Sequence, residues 1–87
     1  MWKIKLSPEA EKQLRTIDRS ASLKIQKYLT ERVALSPIMF GKPLSANLKG
    51  FWRYRVEDYR IICDVRDKEL VVLVVKIGHR SKVYDVF

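Results

Sequence analysis

The stretch that most constrains the fold is residues 51–65, where Glu57-Asp58 separates two runs of strand-forming residues. Read as a two-residue hairpin turn, it sets Val56 against Tyr59, Arg55 against Arg60, Tyr54 against Ile61, Arg53 against Ile62 and Trp52 against Cys63. Side chains alternate along a strand, so this register collects Trp52, Tyr54, Val56, Tyr59, Ile61 and Cys63 on one face. The other face carries Arg53, Arg55, Arg60 and Asp64. A slip of one residue would send every apolar side chain to the wrong side, and that sorting fixes the register.

Other elements follow from similar patterns. Trp2, Ile4 and Leu6 alternate with Lys3 and Lys5, which predicts a first strand with one wet face. Ser7-Pro8-Glu9 supplies an N-cap, a proline at the first helical position and an acid in the first turn. Ala10, Leu14 and Ile17 form the apolar stripe of that helix, and Asp18 to Ser22 breaks it and caps a second. The second helix buries Ile25, Tyr28, Leu29 and Val33 and stops at Ser36-Pro37. Residues 36–50, with Pro37, Gly41, Pro43, Asn47 and Gly50, read as a structured loop. Leu70 to Ile77 is a central strand buried on both faces, and Val83 to Phe87 adds a short tail strand or turn. The expectation is one α+β domain over residues 1–87, in the order β-α-α-β-β-β, an antiparallel sheet with a helical hairpin packed on one face.

Composition narrows the function. Lys and Arg number 18 against 10 Asp and Glu, a net charge of +8. Residues 1–50 hold ten basic and four acidic side chains and residues 51–87 eight and six, so the excess is spread over the body. Such a field favours polyanions. Cys63 stands alone, which leaves no intramolecular disulfide and no cysteine-rich metal site, and suits a reducing cytoplasm. The N-terminus shows no apolar signal region, and the apolar run from Leu70 to Val75 is far too short to span a bilayer. No membrane partner is expected.

The chemistry rests on arginine. Arg55 faces Arg60, with Arg53 two residues along, and like charges opposed across a sheet cost up to roughly 1 kcal/mol per pair. A bound phosphate relieves that repulsion, because its oxygens accept the paired hydrogen bonds a guanidinium offers. The competing reading is a solvated face whose arginines pair with Asp64 and Glu57. Lys76 and Arg80 share a face by parity, and His79 points the other way unless Gly78 introduces a bulge. No serine lies in a nucleophile elbow, the three glycines are isolated, and the carboxylates are scattered. Any hydrolysis here therefore relies on arginine electrostatics, with neither metal nor cofactor expected.

Gly41-Lys42-Pro43-Leu44, then Leu48 to Val56, then Asp58 to Ile62, then Val75 to Tyr84 resemble, in order, the RelE/ParE toxin superfamily. The resemblance covers essentially the whole chain. It implies a RelE-type messenger RNA interferase of a type II toxin–antitoxin pair, which cuts messenger in the A site of the 70S ribosome by 2′-hydroxyl attack on the adjacent phosphate. It further implies an acidic antitoxin and a toxin–antitoxin hetero-oligomer.

Carried across position by position, the basic pair falls on Arg53 and Arg55, and Arg60, Arg80 and Tyr84 are candidate catalytic residues; His79, the single histidine, joins them as a candidate for proton transfer. Arg53, Arg55, Lys49 and Lys82 are the candidates for holding RNA. The chain departs from many relatives in placing arginines, which do not serve as bases, at 53 and 55, and Glu57 where a turn glycine is common. Two alternatives stand beside this reading: a ParE-type DNA gyrase inhibitor, and a non-catalytic basic nucleic-acid-binding module.

Overall fold

A computed structural model describes residues 1–82. Strand β1 (Lys3–Leu6) leads into α1 (Pro8–Thr16) and α2 (Arg19–Tyr28), which continues through a wider helical turn over Leu29–Val33. Helix α1 starts where Ser7 Oγ accepts the N–H of Ala10 at 3.0 Å, and α2 where the Asp18 carboxylate accepts that of Ala21 at 3.1 Å. Between the helices, the buried Ser22 hydroxyl donates to the Leu14 carbonyl at 2.8 Å.

The loop after α2 contains three short elements the sequence pattern did not reveal, a single-turn helix α3 (Pro37–Phe40), a two-residue strand β2 (Lys42–Pro43) and a tight helical turn over Ala46–Leu48. Next come β3 (Phe51–Val56), β4 (Tyr59–Arg66) and β5 (Val71–His79). The sheet order is β1-β5-β4-β3-β2. β1 runs parallel to β5, pairing Lys3 with Val71 through Leu6 with Val74, so the sheet is mixed rather than wholly antiparallel. The connection between these parallel neighbours is long, as such a pairing requires: it runs from Leu6 to Val71 through the helices and the other three strands. The expected tail strand over Val83 to Phe87 lies outside the described residues.

The β3–β4 register is the one the apolar sorting demanded, from Trp52 with Cys63 to Val56 with Tyr59. Its apolar face, with Val72, Val74 and Ile77 of β5, packs on Ala10, Leu14, Ile25, Leu29 and Val33 of the helical layer. Tyr54 is fully buried in that core, and its hydroxyl donates to the Pro37 carbonyl at 2.8 Å. Gly41 passes so close to this ring that a Cβ there would sit 2.7 Å from Tyr54 Cε1. The loop that delivers β2 is thereby pinned to the sheet.

Candidate nucleic-acid interface

Residues opposite one another in a sheet share a face, so the register maps the surface turned away from the helices. Lys42, Arg53, Ile62 and Lys76 form one row across β2, β3, β4 and β5. The next row toward the hairpin turn is Arg55, Arg60 and Gly78. Two basic rows therefore lie side by side, one centred on an apolar side chain: Ile62 is 0% exposed. Lys76 is 4% exposed and sits diagonally from Arg60, while Gly78 sets no side chain between them.

Arg60 folds back over the turn, its Nη1 donating to the carbonyls of Glu57 at 3.4 Å and Tyr59 at 3.2 Å. Glu57 holds a positive φ of 54°, so the turn forms without the glycine expected there. Its carboxylate meets Lys24 Nζ of α2 at 2.7 Å, which ties the hairpin tip to the helical layer. Arg80 follows β5 and stays at this end, because its N–H donates to the Asp58 carbonyl at 2.7 Å. Its guanidinium lies 4.0 Å from the Asp58 carboxylate. Arg53, Arg55 and Arg60 thus share one side of the sheet, and Arg80 lies at the hairpin-turn end of it. Among the described residues, Arg53 Nε is buried without a hydrogen-bond acceptor, although buried donors are rarely left unsatisfied.

His79 is not brought to this face. The irregularity in β5 falls between Ile62 and Cys63 of its partner strand, where pairing steps from Lys76 to Val74, and not at Gly78. His79 consequently pairs with Tyr59 and meets its ring edge-to-face at 6.0 Å, on the helix side. His79 Nδ1 lies 2.9 Å from the Ser81 hydroxyl and 3.3 Å from the Ser81 backbone nitrogen, which holds the ring in the turn after β5.

Lys49 is exposed just before β3, at the far end of that strand from the hairpin turn, and the structure does not join it to the arginines. Lys82 is exposed in the turn after β5, its N–H donating to the His79 carbonyl at 2.9 Å. Tyr84 lies outside the described residues. Conversely, Lys42 joins the face without having been singled out, because it depended on a strand too short to leave a periodic signal. Lys76, paired by parity only with Arg80, joins Arg53 and Lys42 in one row. Among the described residues no group of three or more His, Cys, Asp or Glu side chains converges. No helix there is long and apolar enough to cross a membrane.

A five-stranded mixed sheet backed by a helical hairpin matches the folds of solved RelE-like toxins. The toxin–antitoxin complex RelBE2 of Mycobacterium tuberculosis contains a chain that superposes with a TM-score of 0.86 at 20% identity, covering 91% of this chain and 98% of that one. A chain of the intact RelBE toxin–antitoxin complex of E. coli gives 0.75 at 23% identity, covering 91% and 96%. The YoeB/ParE toxin of Agrobacterium tumefaciens gives 0.72 at 17% identity, covering 88% and 96%. No curated protein matches the sequence.

The profile of the ParE toxins of type II toxin–antitoxin systems matches residues 4–84. The chain belongs to that family and is a toxin of a type II toxin–antitoxin system.

Proposed function

We propose that this toxin is an endoribonuclease that cuts messenger RNA in the ribosomal A site and arrests translation in the cytoplasm. The observation that carries the reading is the clustering of Arg53, Arg55 and Arg60 on one sheet face, with Arg80 held at the same end by the Asp58 carbonyl. Opposed arginines serve folding poorly and serve a phosphodiester well.

In the proposed reaction a ribose 2′-oxygen attacks the adjacent phosphorus. The new O2′–P bond forms as the P–O5′ bond breaks, giving a cyclic phosphate, which water can open to a 3′-phosphate, and a free 5′-hydroxyl. Arg60 and Arg80 stabilise the negative charge that builds on the non-bridging oxygens, while Arg53 and Arg55 hold the flanking backbone. Lys82 and Lys49 make outlying contacts. The 2′-hydroxyl proton must leave and the 5′-oxygen must gain one. Tyr84 is the proposed group for that transfer or for stacking on a base. His79 takes part only if the end of β5 rearranges on the ribosome, since its ring now lies on the Tyr59 side. No step calls for a metal or cofactor.

The proposed inhibitor is an acidic antitoxin that neutralises the basic face in a hetero-oligomer. The +8 charge supports this, as do the structurally similar chains found in toxin–antitoxin complexes.

The test is expression in a translating extract with mapping of messenger ends. Cuts at a fixed position within codons on ribosomes are expected, with loss of about 10²-fold or more in Arg60→Ala and Arg80→Ala. Arrest with intact messenger and broken DNA would overturn the reading in favour of gyrase, and RNA binding without cutting would leave a non-catalytic module.

A further inference from the structure

Two clefts lie beside the arginine face and share a wall. One, of about 120 Å³, is lined by Tyr28, Phe40, Lys42, Arg53 and Arg55. The other, of about 310 Å³, runs along α2 between Lys24, Lys27, Tyr28, Glu31 and Arg32. Tyr28 borders both, so the two clefts adjoin and together make a trough with Arg53 and Arg55 at one end and the α2 residues at the other.

Its chemistry is specific. Tyr28 and Phe40 meet edge-to-face at 6.5 Å, and the Arg32 guanidinium sits 5.7 Å over the Phe40 ring. Burial pushes the Tyr28 phenol up, the largest influence on it, and Arg32 only partly opposes that; the ring therefore stays uncharged beside any phosphate. Lys24 is engaged by Glu57, which leaves Lys27 and Arg32 as the outer cations, with Glu31 the single carboxylate on the wall among the described residues.

We propose that this trough binds single-stranded RNA leading away from the reacting phosphate, with a base against the Tyr28–Phe40 pair and phosphates against Lys27 and Arg32. Aromatic faces interleaved with cations suit unpaired bases, which stack without regard to sequence and carry a phosphate at each step. An acidic protein segment is the competing occupant. RNA is favoured because Arg53 and Arg55, the groups assigned to the RNA backbone, line the smaller cleft. The inference rests on the nuclease reading for the strand's starting point alone.

The experiment compares a 2′-O-methyl trinucleotide with a 2′-O-methyl nonanucleotide, both unable to undergo 2′-hydroxyl attack, by fluorescence anisotropy on the full chain. The nonanucleotide binds more tightly to the wild type. The double variant Lys27→Gln/Arg32→Gln removes about tenfold of that gain and lowers the salt slope of log affinity by about 1.4, the value for two lost contacts on a single strand. Its trinucleotide affinity stays unchanged. Both side chains are exposed, so circular dichroism of the variant should match wild type.

A length gain that survives the double variant overturns the inference, and so does a nonanucleotide that binds no better than the trinucleotide. Unchanged RNA binding with weakened capture of the acidic protein encoded beside the toxin also overturns it, and assigns the trough to that protein. If the gain is lost in the variant while the wild type cuts no messenger, the trough stands and the nuclease reading falls.

Discussion

The side-chain carbonyl of Gln13 accepts the backbone N–H of Ile77 at 2.6 Å, joining α1 to a strand 64 residues away in sequence. β1 ends at Leu6, opposite Val74, so β5 runs on past its parallel neighbour with its outer backbone groups exposed to the start of α1. Ser7 and Gln13 supply what the missing strand would have. Ser7 donates its N–H to the Val74 carbonyl at 2.9 Å and its hydroxyl to the Val75 carbonyl at 2.8 Å, and Gln13 then takes Ile77. The extension matters because Gly78 and Arg80 lie just beyond.

Replacing Gln13 with Leu keeps the bulk and strands the Ile77 N–H, for an expected loss of about 1–3 kcal/mol. The urea midpoint should fall with no change in slope, and amide exchange at Ile77 should accelerate. Gln13→Glu retains the acceptor and should recover most of the loss. An unshifted midpoint in Gln13→Leu would show that the bond contributes nothing.

Leu70 is a second point where sequence and backbone disagree. It closes the turn between β4 and β5 at φ 54°, ψ 44°, a conformation that costs a branched L-residue about 1–2 kcal/mol. Its side chain is 54% exposed, so little packing offsets that cost. Leu70→Asn should stabilise the toxin by about 0.5–1 kcal/mol, read as a rise of several degrees in Tm. A fall in Tm would mean that the leucine packs more than its exposure implies.

How far the fold was legible in the sequence depends on the range of each signal. The β3–β4 ribbon could be read residue by residue because a two-residue turn leaves one register that keeps Tyr54, Ile61 and Cys63 inside. The parallel pairing of β1 with β5 was not legible: alternation in residues 2–6 sets which face is buried but names no partner strand. Parity set His79 on the face opposite Lys76 and Arg80 unless Gly78 introduced a bulge; the irregularity falls at Val75 instead, within a run of valines whose alternation does not mark it. His79 therefore stays on the Tyr59 side. The basic face was half visible: three arginines followed from the hairpin, whereas Lys42 needed a tertiary contact, the Tyr54 hydroxyl on Pro37, to bring its loop to the sheet edge.

Burial raises both the Cys63 thiol and the Tyr54 phenol well above their ordinary values of 9.0 and 10.0. A group whose acid form is favoured by folding contributes its full stability below the unfolded value and loses it as pH rises past that value. Stability should therefore hold to about pH 8.5 and then decline, at up to roughly 1.4 kcal/mol per pH unit for each group. Urea midpoints across this range in wild type and Cys63→Ala/Tyr54→Phe test the assignment. The double variant starts lower, having lost a buried hydrogen bond and some packing, but its alkaline decline should be shallower. Parallel curves would assign the decline to other groups.

Arg55 offers the sharpest separation of folding from function. It is exposed and directly opposite Arg60, so removing it deletes a like-charge pair and little packing. Threonine suits a strand, and Arg55→Thr should leave stability unchanged or raise it by up to about 1 kcal/mol. If the arginine rows hold RNA, the same change should weaken RNA affinity about tenfold and lower its salt slope by about 0.7, the loss of one phosphate contact. A stabilised toxin that cuts less is the pattern of a residue retained for its ligand. Lower stability with unchanged cutting would mark Arg55 as a structural side chain and remove one corner of the site.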